Sequence, residues 1–315
     1  MQQEITVSHD DDMLQKGDIS LRELWAVILG GGWLIIGLTS IFTIAFIFYA
    51  MSVPDEYRST ALLSPASASD NSSLAKLAGQ FGGLASLAGV GLSSGGSDKT
   101  TIAIELLKTW GFLEEFIRSN QLEKEVYAVK GWDSKTNTLL INEELYDVES
   151  NKWVAGGPSS WDLFNKLNGR VSVSQNKNTG LISMSVEHYS PTIAREWVDK
   201  LVVSINRYIQ SQDRKDAQSR IRYLKEQIDK TNVAEMQAVF YQLIEEQTKT
   251  LMLAEISDEY VFKTLSPAMI PAKKFKPKRT LVVIFGGLVG LGMGVCLTLL
   301  LWFIRQGKAE GSEVL

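Results

Sequence analysis

Two stretches of the chain carry no charge, and the segment between them is patterned. Leu24 to Pro54 and Thr280 to Ile304 contain no Asp, Glu, Lys or Arg. Each exceeds the roughly 20 residues that a helix rising about 1.5 Å per residue needs to cross a bilayer core about 30 Å thick. Both are predicted as transmembrane helices, over 24–51 and 280–304. A core helix of a soluble fold shows a polar face, and these stretches have none. A cleaved signal sequence is the rival for the first, because Ala50, Met51 and Ser52 offer a small-x-small pattern. Its apolar stretch is about twice a typical signal core, and the residues before it are acidic rather than basic.

Between the spans, "EYRSTALL" (56–63) alternates as a strand does, and 100–119 places apolar residues at 102, 106, 107, 110, 113, 116 and 117, a helical spacing. "RVSVSQ" (170–175) and "GLISMSVEH" (180–188) alternate around the turn signal "NKNTG". Ser190 and Pro191 read as the N-cap and first position of a helix, and "YVFKTL" (260–265) reads as a closing strand. The order β, α, β, β, α, β predicts an α+β membrane protein in which two transmembrane helices flank a split ferredoxin-like (βαββαβ) base.

The second helical arm is long. From Pro191 to Lys230 a continuous helix would reach roughly 60 Å. Its first half is apolar on a broad face (Ala194, Trp197, Val198, Leu201, Val202, Ile205), and its second half narrows to Ala217, Ile221, Leu224 and Ile228. After a break near "DKTNV" the seam resumes at Met236, Phe240, Leu243, Gln247, Leu251 and Ala254. These spacings predict an extended antiparallel helical hairpin over 191–258, whose narrow stripe one chain cannot bury, so neighbouring copies are expected to pack against it.

Charge changes the picture only locally. The net charge of -4 carries no nucleic-acid signature, so no nucleic-acid partner is expected. Five cations, Lys273, Lys274, Lys276, Lys278 and Arg279, crowd the entry to the second span together with Pro267, Pro271 and Pro277. Counting positive charges beside the spans sets Lys16, Arg22, Arg305 and Lys308 against Arg58 and these five. That count favours a cytoplasmic loop, but long translocated domains obey the rule poorly and the first helix usually dominates, so charge alone leaves the orientation open. The prolines are expected to stop the last strand, with the cations at headgroup depth facing lipid phosphates. Gly286, Gly290 and Gly294 recur every four residues and predict a groove for close helix packing in the membrane.

Other signals lead nowhere sharp. In "GLSSGGSDKT" (91–100), Gly91 and Gly96 are spaced as in a phosphate loop, but Ser97 and Asp98 separate Gly96 from Lys99. Residues 64–97 read as a small-residue loop with a weak amphipathic turn at Leu74, Leu77, Phe81 and Leu84. The aromatics Tyr127, Trp132, Tyr146, Trp153 and Trp161 are able to stack on sugars, though such residues more often build a core. Cys296 is the one cysteine and lies in a span, and His9 and His188 are scattered. No catalytic constellation, metal site or cofactor is expected.

"DISLRELWAVI" before the first span, "EYRSTALLSP" after it, "IEEQTKTLMLAEISDEYVFKTLSPAMIP" before the Lys-rich segment, and the Gly-rich second span together resemble the Wzz family of chain-length determinants, the polysaccharide co-polymerases. The resemblance implies a non-enzymatic protein of the bacterial inner membrane, with a cytoplasmic segment 1–23, a periplasmic domain 52–279 and a cytoplasmic tail 305–315. It also implies a ring-like homo-oligomer that sets the modal length of lipopolysaccharide O-antigen with a Wzy-type polymerase on a polyprenyl-diphosphate carrier. The family's prolines usually stand closer together than Pro267, Pro271 and Pro277. The alternative is a capsule or exopolysaccharide export subunit working with a separate tyrosine kinase.

Overall fold

The structure is a computed structural model that describes residues 21–66 and 95–312. It divides into two compact units, residues 1–53 with 276–315, and residues 54–275. In chain order the helices are α1 (Leu21–Gly30), α2 (Gly32–Ser52), α3 (Gly95–Leu106), α4 (Trp110–Ser119), α5 (Glu123–Tyr127), α6 (Ser160–Asn168), α7 (Pro191–Lys230), α8 (Ala234–Ile256) and α9 (Arg279–Ser312). The strands are β1 (Tyr57–Pro65), β2 (Val129–Asp133), β3 (Thr138–Ile141), β4 (Tyr146–Asp147), β5 (Lys152–Trp153), β6 (Val171–Gln175), β7 (Ile182–His188) and β8 (Phe262–Ser266). The weak turn expected at 74–84 lies outside the described residues.

In the first unit, two helical stretches, Gly32–Ser52 and Arg279–Ile304, are long and apolar enough to span a membrane. Only 6% of the first and 17% of the second is buried, which separates them from core helices of a soluble fold. The first span is not continuous as expected over 24–51. Gly31 sits in a turn that divides α1 from α2, with φ of -89° and ψ of 7°.

In the second unit, a four-stranded sheet runs β6-β7-β1-β8 with every neighbouring pair antiparallel. Tyr57 faces His188 and Leu63 faces Ile182, a register that turns Ala61, Leu63, Ile182, Met184 and Val186 inward. Against them α7 lays Trp197, Val198, Leu201 and Ile205, and α4 contributes Phe112, Leu113, Phe116 and Ile117. The β6–β7 turn forms as its sequence predicts: Asn176 Oδ1 accepts from the amides of Asn178 and Thr179, and Gly180 takes the positive φ of 70° that the reversal requires.

The single helix expected over 100–119 is two. The amides of Lys108 and Thr109 donate to Glu105 and Leu106, tightening the end of α3, while Thr109 is extended and starts α4 anew. The re-phasing buries Leu113, Phe116 and Ile117 but leaves Ile102 and Trp110 exposed. The hairpins β2–β3 and β4–β5 were not foreseen: β4 and β5 have two residues each, and the sequences of β2 and β3 do not alternate apolar with polar.

Candidate functional site

In the first unit, the glycines of α9 lie against α2. A methyl group on Gly290 would stand 2.9 Å from Thr39 Cα, and one on Gly294 would stand 3.0 Å from Ile35 Cα. Gly286 faces Phe46 in the same way. Rising numbers on α9 meet falling numbers on α2, so the helices are antiparallel and the groove is filled by the chain's own first span. The hydroxyls of Thr39, Thr43 and Thr298 donate to carbonyls four residues earlier, which leaves no polar group of theirs to be met by lipid.

In the second unit, the proline-containing segment after β8 is strapped to the start of β1. Ser59 Oγ donates to Met269 O at 2.7 Å, and the Phe275 amide donates to Glu56 O at 2.8 Å. Arg58 stacks its guanidinium 3.5 Å over the Phe275 ring and bonds the buried Glu187 carboxylate through Nε at 3.0 Å and through its terminal nitrogen. Lys274 pairs with Asp55 at 2.5 Å. The lysine at 274 therefore has a local carboxylate; it and Lys273 are both exposed. Pro267 and Pro271 belong to this non-helical strap. In the first unit, Lys276 and Lys278 are exposed, Pro277 is half-buried, and Arg279 begins α9.

The long helix α7 carries a polar ladder that periodicity alone did not reveal. Buried Asn206 accepts from the amides of Val261 and Phe262 and donates to the carbonyls of Val202 and Phe262. One turn on, Gln210 donates to the Ala254 and Ser257 carbonyls, closing the end of α8. Next, Asp213 accepts from Tyr260 at 2.7 Å and Lys99 at 2.6 Å. Burial pulls the Lys99 pKa down, but the Asp213 and Tyr260 hydrogen bonds outweigh it and leave it raised; burial, then Asp213, raises that of Tyr260. The lysine of the phosphate-loop look-alike is thus committed to the root of the hairpin. The clue in the sequence was three polar residues, at 206, 210 and 213, on an otherwise apolar stripe.

Further out, Leu224 is buried and Ile221, Ile228, Phe240 and Leu251 are half-buried, whereas Met236 and Leu243 are 46% and 40% exposed. The two exposed residues sit at the margin of the stripe, and Ile244 takes a half-buried place beside Gln247. Most of the candidate sugar-stacking aromatics are engaged with each other. Trp153 packs edge-on against Tyr127 and Tyr146, and Trp132 against Tyr57, leaving Trp161 as the exposed member.

These features define a chain with two candidate membrane spans and an α/β unit that carries a long helical hairpin. Residues 17–120 match the family of Wzz, the chain length determinant protein, so the resemblance read from the sequence holds over the first span and the opening of the second unit. Among solved structures, the chain is similar to a full-length bacterial polysaccharide co-polymerase, at 14% identity and a TM-score of 0.39, covering 91% of this chain and 99% of that one. It is also similar to a fragment of WzzB, a polysaccharide co-polymerase from Salmonella Typhimurium, at 12% identity and a TM-score of 0.29, covering 71% and 100% of the two chains. No curated protein sequence matches the chain.

Proposed function

We propose that this chain is a non-enzymatic regulator that sets the modal length of lipopolysaccharide O-antigen made by a Wzy-type polymerase on a polyprenyl-diphosphate carrier. The observation that carries this reading is the match of residues 17–120 to the chain length determinant family. The sheet order β6-β7-β1-β8 is that of a split βαββαβ base, and we read it as one. On this reading the α/β unit is periplasmic and both termini are cytoplasmic.

A ring-like homo-oligomer is supported by apolar side chains that one copy leaves in water, among them Val239, Met252 and Ile256, the last 77% exposed. Lys273 and Lys278 are the cations we assign to lipid or carrier phosphates, since Lys274 already faces Asp55.

Deleting the gene and running the lipopolysaccharide on a gel tests the function. A ladder that loses its modal cluster and decays smoothly supports it. An unchanged ladder with loss of capsule or exopolysaccharide would assign the chain to export instead.

A further inference from the structure

We propose that the cleft between α4 and the stem of α7 is a saccharide-binding site that takes a neutral sugar unit. The inference rests on the glycan-regulating role proposed above and names where glycan meets the protein. The cleft has a volume of about 350 Å³, which falls within the roughly 300–1,000 Å³ of small-molecule sites. Its aromatic floor is the half-buried Tyr208, which meets the buried Phe112 edge-on at 5.6 Å, with the buried Phe116 beside that ring at 6.5 Å. Its walls carry hydroxyls and an amide, Ser119 and Asn120 from α4 and the residue that caps it, and Ser204 from α7.

The chemistry of these groups selects the ligand. A sugar ring presents apolar C–H faces and an edge of hydroxyls, so it needs an apolar floor and groups that both donate and accept. The side-chain hydroxyls of Ser119, Ser204 and Tyr208 engage no partner among the described residues, although each is able to do both. Ser211 donates to the Tyr208 carbonyl and keeps its lone pairs free to accept. Arg207 and Glu115, both exposed, also line the cleft and carry opposite charge. Their balance disfavours a phosphate or a cation, and guanidinium and carboxylate both bond neutral hydroxyls. The exposed Trp161 lies outside the cleft lining, so the aromatic pattern in the sequence pointed to a different part of the unit.

The test uses the full-length protein in nanodiscs and oligosaccharides cut by mild acid from the surface polysaccharide of the producing cell. Saturation-transfer NMR is expected to show contact with the wild-type protein. Ser119→Trp and Ser204→Trp, which fill the cleft from its two walls, are each expected to weaken that contact at least tenfold. Ser119 is exposed, so its variant keeps the fold even if Ser204→Trp does not. Absence of transfer to wild type, or equal transfer to the Ser119→Trp protein, overturns the site. A disulfide between singly substituted Ser119→Cys and Ser204→Cys copies, in a Cys296→Ala background, overturns it in favour of a second copy. Either failure alongside a deletion-dependent ladder sinks the site alone; a ladder unchanged by deletion sinks the regulatory reading itself.

Discussion

Single atoms decide how the two spans of this protein meet. Gly290 has backbone, Thr39 Cα, where a side chain would go, and backbone cannot rotate away. Gly292, two residues on, has nothing within 4 Å of the same position. Gly290→Ala is therefore expected to force the helices apart at about 1–3 kcal/mol, the usual range for overpacking, while Gly292→Ala changes little. Thermal unfolding of the two variants in detergent compares them directly, and equal midpoints would remove the close contact from the account. His188 makes a second prediction at this scale. Burial first, and then Arg170, lower its pKa from 6.5 to about 3, and the Ser190 amide donates to its Nδ1. The unfolded chain thus binds a proton that the folded chain refuses. Stability is complete above pH 6.5 and falls as the pH drops towards 3, by about 2 kcal/mol between pH 7 and pH 5. Urea unfolding over that interval should show the slope in the wild type and a shallower one in His188→Phe, whose ring keeps the contact with Trp197.

Elements follow from patterns of residues, and the pattern was informative in proportion to its length. The helix from Pro191 to Lys230 could be read end to end, since Ser190 caps it by accepting from the Ile193 amide and its apolar stripe persists over 40 residues. The four sheet strands were legible from alternation, and only their ends moved by a residue or two. The break at Thr109 was not legible, because the apolar positions on either side fit one continuous helical period. Nor was the strap that binds Phe275 and Lys274 to β1, whose partners lie more than two hundred residues away. Of the candidate site, glycine spacing gave the close face of α9 but not the helix that occupies it. Asn206 was invisible for a different reason: a polar residue in an apolar stripe acquires meaning only once strand β8 arrives beside it. Both amides it accepts from are buried in the fold's return strand, so Asn206→Ala leaves them without partners. A loss of at least about 2 kcal/mol is expected. Chemical denaturation should detect it, and an unchanged midpoint would mean that the return strand is held by its ladder with β1 alone.

At the scale of the whole molecule, one question governs the proposed role: on which side of the membrane the α/β unit works. Charge counting alone left the orientation open, and the Lys274–Asp55 pair shows why a count of residues overstates the local field. A cation with a carboxylate at 2.5 Å contributes little net charge beside a membrane, so the cluster weakens as a cytoplasmic marker. Regulation of a glycan assembled on a lipid carrier requires the unit to share a compartment with the growing chain, which on the proposed reading is the periplasm. Ser134 lies exposed in the turn between β2 and β3, where a cysteine disturbs no packed side chain. The native Cys296 lies within a candidate span and must first be removed, since a reagent that reached it would blur the result. In a Cys296→Ala background, Ser134→Cys is expected to react with a membrane-impermeant thiol reagent once the outer membrane alone is permeabilised. Labelling that appears only after the inner membrane is lysed would put the α/β unit in the cytoplasm and, with it, away from any periplasmic polymer.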